Sequence, residues 1–349
     1  MIRVKAYATE GPEELLAPFE LERRELKEYD VLVDILYCGV CHSDLHKVRN
    51  EWGSSMYPMV PGHEIVGKVL KTGSAVSKFK EGDLVGVGVM IDSCRQCKPC
   101  ESHMEQYCVE GMTGTYNNYE RDKKTIAQGG YSTQIVTDER WVYRISDKLD
   151  LAGVAPLLCA GITTYSPLKY AHVSPGDKVA VAGLGGLGHM AVKFAVAMGA
   201  EVTVLSTSAS KKQDALDLGA HHFVQSTDKE AMRKLNSRFN VVLDAISADH
   251  DYENFLNLLD INGKLLVVGL PKDKPKVNPF ALIKNRRAII GSMIGGTAET
   301  QEMLDYCAVK NITADVEVIK MQEINEAFER MIKNDVKYRF VIDMSSLKR

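Results

Sequence analysis

The chain changes its hydrophobic rhythm near residue 150. Before that point, short β-type runs are punctuated by glycine: Val31-Leu32-Val33-Asp34-Ile35-Leu36, Glu64-Ile65-Val66-Gly67-Lys68-Val69-Leu70 and Asp83-Leu84-Val85-Gly86-Val87-Gly88-Val89. Such runs predict an antiparallel barrel or sandwich. The polar, tyrosine-containing stretch from Gly111 to Gly130 predicts a long loop. After residue 150 the pattern differs. Lys178-Val179-Ala180-Val181-Ala182 is nearly continuously apolar, as a buried parallel strand requires. A helix is predicted from about residue 186 to 198, with Gly199 as its stop. Strands follow at 201–205, 241–244 and 264–268. Alternating strand and helix predicts a doubly wound α/β domain. Helices near 298–309 and 324–333 close the chain.

At 349 residues the chain is too long for one ordinary core. The rhythm therefore predicts an α/β protein of two domains. The doubly wound one begins at about residue 151, and the pattern changes again from about residue 295. Apolar content of 45% and charged content of 26% are those of a soluble globular protein. A formal net charge of −3 argues against nucleic acid or an anionic membrane as main partner. No apolar run reaches membrane-spanning length. The opening Met1-Ile2-Arg3-Val4-Lys5-Ala6-Tyr7 lacks the apolar core of a signal peptide and reads as a first strand. Eight cysteines then predict a reducing, cytoplasmic compartment, where clustered thiols serve as metal ligands rather than disulfides.

Cys94, Cys97, Cys100 and Cys108 follow the spacing C-x₂-C-x₂-C-x₇-C. Tetrahedral zinc is the leading reason to crowd four thiols so closely. Such an ion is coordinatively closed, and it replaces a core that so short a lobe cannot build. The polar neighbours Asp92, Arg95, Lys98, Glu101 and His103 suit an exposed lobe. His103 is a further donor nearby, but four thiolates already satisfy the ion.

Gly183-Leu184-Gly185-Gly186-Leu187-Gly188 fits G-x-G-x-x-G, directly after a predicted strand and opening a predicted helix. Gly183 permits the tight turn, Gly185 the approach of a pyrophosphate, and Gly188 close helix–sheet packing. The helix N-terminus offers free N–H groups to the phosphates. An NAD site carries Asp or Glu at the end of the second strand. This chain instead reads Leu205-Ser206-Thr207-Ser208-Ala209-Ser210-Lys211-Lys212. Hydroxyls and lysines suit a 2′-phosphate, which predicts NADP(H). The alternative is that the hydroxyls cap the following helix and the lysines are solvated.

Cys41, His63 and Cys159 lie far apart, in Cys38–His46, Pro61–Glu64 and Pro156–Gly161. Their types suit a zinc with an open position, but spacing alone does not join them. Cys38, Cys41 and His42 read equally as an ordinary strand end.

With Cys-His-Ser-Asp-Leu-His at 41–46, Pro-Gly-His-Glu at 61–64, Cys-Ala-Gly-Ile-Thr-Thr-Tyr-Ser-Pro-Leu at 159–168 and Gly-Leu-Gly-Gly-Leu-Gly-His-Met at 183–190, the chain resembles the zinc-dependent medium-chain alcohol dehydrogenases. The resemblance runs end to end, and within that superfamily it is to the cinnamyl alcohol dehydrogenase group. It implies a GroES-like β-barrel catalytic domain made of residues 1–150 and 295–349, flanking a Rossmann cofactor domain of residues 151–294. It implies two zinc ions per chain, a catalytic one on Cys41, His63 and Cys159 and a structural one on the four-cysteine lobe. Ser43 is implied as first proton acceptor, His46 as outer relay, Asp44 as the orienter of a histidine ligand, and Glu64 as a group that approaches the metal. Gly183, Leu184, Gly185, Gly186, Leu187 and Gly188 match the phosphate contacts. Ser206, Thr207, Ser208 and Lys211 match the adenosine phosphate pocket, and Thr163 and Gly269 the nicotinamide half. The plain readings are that Thr163 is an ordinary helix residue and Gly269 serves only a turn. The implied reaction is reversible oxidation of a primary alcohol, with NADPH-dependent reduction of aromatic and aliphatic aldehydes favoured, in a homodimer joined across the Rossmann sheet edges.

A polyol or secondary-alcohol dehydrogenase is the rival enzyme reading. A non-catalytic zinc- and NADPH-binding redox sensor is the rival of another class. The retained Cys41, Ser43, His46, His63, Glu64 and Cys159 argue against the sensor. Among other marked residues, Cys38 reads as strand-end packing and Cys307 as part of an apolar helix face with Met303 and Leu304. His42 lies beside a ligand, within reach of the cofactor pyrophosphate. His221 and His222 read as surface loop. Trp52, Met90, Tyr116, Met293 and Ile294 fall where pocket walls could lie, although such residues are more often core.

Overall fold

The computed structural model describes residues 1–271 and 274–348. The chain forms two compact units, Met1–Cys159 with Gly295–Arg349, and Ala160–Ile294.

The first unit is built on the strand Asp30–Gly39. It pairs antiparallel with Ile65–Thr72, Gln134–Asp138 and Arg339–Asp343. The seven-stranded sheet runs Val316–Lys320, Arg339–Asp343, Asp30–Gly39, Ile65–Thr72, Leu84–Val87, Val142–Arg144, with Gln134–Asp138 beside Asp30–Gly39. One pair, Val316–Lys320 with Arg339–Asp343, is parallel. Register shifts between Leu32 and Val33 and between Ile35 and Tyr37 break the regular pairing of the long strand, and irregularities of this kind bend a strand and raise its twist. Val31, Val33, Ile35, Ile65, Val85, Val87, Phe340 and Ile342 are wholly buried and form the core. Ile2–Ala8 and Ala17–Arg23 form a separate antiparallel pair. The expected loop at Gly111–Gly130 holds the short strand Thr113–Gly114 and a bridge between Tyr119 and Ile126.

The second unit is a six-stranded parallel sheet in the order His222–Gln225, Glu201–Ser206, Lys178–Ala182, Phe239–Asp244, Leu259–Val267, Ala288–Gly291. Val179 to Ala182 are wholly buried, as expected of a central strand covered on both faces. The strand order reverses between Lys178–Ala182 and Phe239–Asp244, which is where such sheets bind ligands. The helix Gly188–Ala197 follows the glycine turn, and Gly199 takes φ +88° beyond its end.

His221 and His222 are both exposed, and His221 lies in a bend, as the surface-loop reading expects; only His222 departs from it. His222 opens the edge strand His222–Gln225, and its Nε2 lies 2.9 Å from Glu201. His221 Nδ1 accepts the Val202 N–H at 3.1 Å. Four residues of an edge strand carry too little periodicity to show in the sequence. Cys307, Met303 and Leu304 share the buried face of the helix Thr297–Lys310. Among the described residues no single helix is long and apolar enough to cross a membrane.

Candidate active site and the two cysteine clusters

Cys41 is the N-cap of the short helix His42–Val48, which starts as the strand Asp30–Gly39 ends. Asp44 Oδ2 accepts the Cys41 N–H at 2.9 Å, so the helix start is locked from within. The same buried carboxylate reaches a second segment. Its Oδ1 accepts the Gly62 N–H at 3.2 Å and lies 3.0 Å from His63 Nδ1. Tyr131 adds its hydroxyl to Oδ2 at 3.3 Å. Because Nδ1 is turned to Asp44, Nε2 is the nitrogen left to serve as a ligand. Gly62 is required at this point: its φ is +102°, and a Cβ would lie 2.7 Å from the Tyr131 ring and 2.8 Å from Cys38 Sγ. Cys159 follows the single turn Ala155–Leu158. One donor atom each from Cys41, His63, Glu64 and Cys159 lies within 4.8 Å of the others, and all four residues are buried.

The electrostatics of this cluster are those of a cation site. The Cys159 thiol donates to Cys41, which holds Cys41 well below the usual thiol range, with Arg339 and His63 helping. The same bond, together with burial, pushes Cys159 well above it. Burial alone would lower His63, but Asp44 and the Cys41 sulfur raise it well above the usual imidazole range. Burial lifts the Glu64 carboxyl to about 7 against the opposing charge of Arg339. One Glu64 oxygen is held by the Arg339 guanidinium, while Oε2 is buried with no hydrogen-bond partner among the described residues. Two thiols, an imidazole nitrogen and the second Glu64 carboxyl oxygen converge among buried residues. That donor set fits zinc, with soft sulfur and borderline nitrogen ligands.

Ser43 Oγ lies 3.5 Å from Cys41 Sγ. His46 Nδ1 bonds the Glu51 carboxylate, and its ring lies 4.8 Å from that of Trp52. Tyr116 stacks on His63 at 5.8 Å and donates to the Ser43 carbonyl at 3.3 Å. It therefore braces a candidate ligand. Met90 is buried in the core, and Trp52 is about half exposed.

The four-cysteine lobe is equally well assembled. Cys94, Cys97, Cys100 and Cys108 offer sulfurs within 4.8 Å of one another. None is in a disulfide. Backbone N–H groups of Val109 and Cys100 lower Cys97 to about 6, while burial raises Cys100 to about 12. Four converging thiols fit a closed zinc site. His103 is exposed and its Nδ1 lies 3.9 Å from Glu105, outside the cluster.

The glycine turn leaves room where a phosphate would need it. A Cβ on Gly185 would meet nothing within 4 Å, whereas one on Gly188 would lie 1.9 Å from the Gly183 carbonyl oxygen. Gly183 takes φ +90°. Lys211 Nζ donates to the Leu184 carbonyl at 2.7 Å, which ties the end of the second strand to the turn. Ser206 Oγ accepts the Ser208 N–H at 3.3 Å, and Ser208 and Ser210 share a hydroxyl bond of 2.8 Å. Among the described residues Ser208 makes no side-chain capping bond to the turn that follows, and Lys212 is exposed. Thr163 lies half-buried on the helix Ala160–Tyr170. A Cβ on Gly269 would lie 2.1 Å from the Ile246 carbonyl oxygen, so its backbone packing alone requires glycine.

Comparison with known proteins decides the family. Residues 27–147 match the model of the alcohol dehydrogenase GroES-like domain, and residues 186–308 that of the zinc-binding dehydrogenase. NADP-dependent alcohol dehydrogenase C 1 of Mycolicibacterium smegmatis is 51% identical over the whole of both chains. The chain belongs to the zinc-dependent medium-chain alcohol dehydrogenases. Aldehyde reductase YahK of Escherichia coli is 50% identical over 99% of both chains. Among solved structures, a cinnamyl alcohol dehydrogenase of Sorghum bicolor superposes with a TM-score of 0.95 at 42% identity, covering 99% of this chain and 98% of that one.

Three functional-looking residues of this dehydrogenase were not singled out by the sequence. Arg339 contacts Glu64 across 275 residues. Glu105 binds Thr297 across 192 residues. Tyr131 was hidden at the end of the Gly111–Gly130 stretch, where the pair Gly129-Gly130 gave the one available sign of close packing. A Cβ on Gly129 would lie 2.3 Å from the Pro61 carbonyl oxygen, directly beside the His63 segment.

Proposed function

We propose that this dehydrogenase is an NADP(H)-dependent alcohol dehydrogenase and aldehyde reductase that interconverts aromatic and aliphatic primary alcohols with their aldehydes. The observation that carries the reading is the buried convergence of Cys41, His63, Cys159 and the unpartnered Glu64 oxygen. Cys41, His63 and Cys159 would hold the catalytic zinc, and Cys94, Cys97, Cys100 and Cys108 a structural one, giving two ions per chain. When bound, zinc supplies a Lewis acid that polarises the substrate C–O bond, and NADPH supplies the hydride.

The chain's own residues do the rest. Asp44 keeps the His63 proton on Nδ1, so that Nε2 stays free to ligate. Ser43 Oγ, 3.5 Å from Cys41 Sγ, gives its proton to the product oxygen in aldehyde reduction and takes it back in alcohol oxidation. His46, held by Glu51, exchanges that proton with solvent. Glu64 offers a further oxygen to the metal while Arg339 holds its partner oxygen. Gly183 to Gly188 receive the pyrophosphate. Ser206, Thr207, Ser208 and Lys211 receive the 2′-phosphate, with no acidic residue between 206 and 212 to repel it. Thr163 and Gly269 border the nicotinamide half.

The strand Ala288–Gly291 ends the parallel sheet, and Phe280 and Ile283 just before it are 64% and 72% exposed. These features support a homodimer joined at that edge. Eight free thiols and the acidic net charge support a reducing, cytoplasmic setting with no nucleic-acid or membrane partner.

Metal analysis of the purified protein tests the zinc assignment. About two zincs per chain are expected. Cys41→Ala should retain about one and lose at least about a thousandfold in aldehyde reduction. Full metal content and activity in Cys41→Ala would sink the assignment.

A further inference from the structure

The strand Phe239–Asp244 ends on a buried carboxylate that the chemistry above leaves unused. Asp244 Oδ2 lies 2.8 Å from His250 Nε2, and Oδ1 accepts the Ile246 N–H at 3.1 Å. The other ring nitrogen, His250 Nδ1, lies 2.8 Å from the Ala248 carbonyl oxygen. A carbonyl only accepts, so Nδ1 carries a proton. The ring is thus held at both nitrogens, by a carbonyl oxygen on one side and a carboxylate oxygen on the other. The ring packs against Tyr252 and Phe255, with centroids at 5.2 and 5.4 Å. His250 thus staples the loop 245–249 at both ends.

That loop is built into the mouth of the cofactor site. The Ala245 N–H bonds the Ala182 carbonyl at 3.0 Å, immediately before the glycine turn. The Asp244 carbonyl accepts the N–H groups of Val268 and Gly269, both at 3.0 Å. Ile246 fills the space between the two glycines. A Cβ on Gly183 would lie 3.0 Å from its Cγ1, and one on Gly269 2.1 Å from its carbonyl oxygen. These are the C-terminal ends of the three strands around the point where strand order reverses, where the two halves of a dinucleotide part. Ser206 to Lys211, on the other side of the glycine turn, take the adenosine half. Ile246 and Gly269 therefore border the nicotinamide half.

Resting on the NADP(H) reading, we propose that His250 is a positioning residue for the nicotinamide half of the cofactor. It holds Asp244 and Ala248, and through them keeps Ile246 seated between Gly183 and Gly269, so that the nicotinamide ribose can lie against the surface the three residues form.

Binding of NADPH and of 2′,5′-ADP to the full-length protein tests this, by fluorescence titration for the first and calorimetry for both. The second probe carries the 2′-phosphate and adenosine but no nicotinamide. His250→Phe keeps the ring packing and removes both nitrogens. It should bind NADPH about tenfold more weakly while binding 2′,5′-ADP as the parent does. The KM for NADPH should rise by the same factor with kcat within about twofold. His250→Gln, which restores a donor toward Asp244, should recover most of the loss. Ile246→Ala, with the dyad intact, should show the same selective loss in smaller measure. Unchanged NADPH binding in His250→Phe overturns the proposal, as does an equal loss for both probes, which would mark a general loosening of the domain. Failure of the parent protein to bind either probe would overturn the NADP(H) reading, and this inference with it.

Discussion

Arg339 and Glu64 show how one buried residue pair can shape a candidate metal site. Both side chains are buried, 7% and 0% exposed. Arg339 also donates to the Val40 carbonyl at 3.1 Å, one residue before Cys41. Burial would lower the guanidinium, but Glu64 and the two thiols hold it above its ordinary value. Removing one partner of such a pair leaves an uncompensated buried charge, whereas removing both does not. Arg339→Met should therefore cost roughly 3–5 kcal/mol of stability, and Arg339→Met with Glu64→Gln clearly less. Denaturant unfolding of the metal-loaded proteins measures both, and equal losses would contradict this account. The sequence showed Glu64 because it adjoins His63 in a recognisable motif. It could not show Arg339, whose only signal is a contact spanning 275 residues.

At the scale of elements, the helix Thr297–Lys310 starts without a cap of its own. Its N-cap residue is Gly296, which has no side chain to offer. The cap is supplied by Glu105 from the cysteine lobe, whose oxygens accept the Thr297 N–H at 2.9 Å and the Thr297 hydroxyl at 2.7 Å. The approach is close: a Cβ on Gly296 would lie 1.7 Å from the His103 carbonyl oxygen. Glu105→Ala should lower stability by about 1–2 kcal/mol, through the lost cap and the lost charge at the helix N-terminus. Glu101→Ala, at an exposed position of the same lobe, should stay within about 0.5 kcal/mol of the parent. Matching unfolding midpoints for the two variants would refute the capping role. Helical periodicity made the body of this helix legible. Its cap comes from a lobe 192 residues away and left no local trace. The glycine turn is the opposite case, since strand, turn and helix are contiguous and the whole device sits in one stretch of sequence.

For the whole molecule, the four central strands of the parallel sheet of Ala160–Ile294 were legible because each is a short apolar run, whereas the edge strands His222–Gln225 and Ala288–Gly291 were not. The antiparallel sheet was legible only as a class. Its register joins Asp30–Gly39 to Arg339–Asp343, and nothing in either segment names the other. The same holds for Cys41 and Cys159, the candidate zinc ligands, which neither spacing nor periodicity linked. The open edge at Ala288–Gly291 carries a prediction about assembly. Light scattering should give the mass of two chains, and Ile283→Asp should shift it toward one; a parent monomer would refute the edge-joined dimer. The central claim is tested most directly by the rate of cinnamaldehyde, benzaldehyde and butanal reduction with NADPH against NADH, on protein of known zinc content. This account predicts kcat/KM at least about tenfold higher with NADPH. Equal turnover with NADH, or none with zinc fully bound, would contradict it.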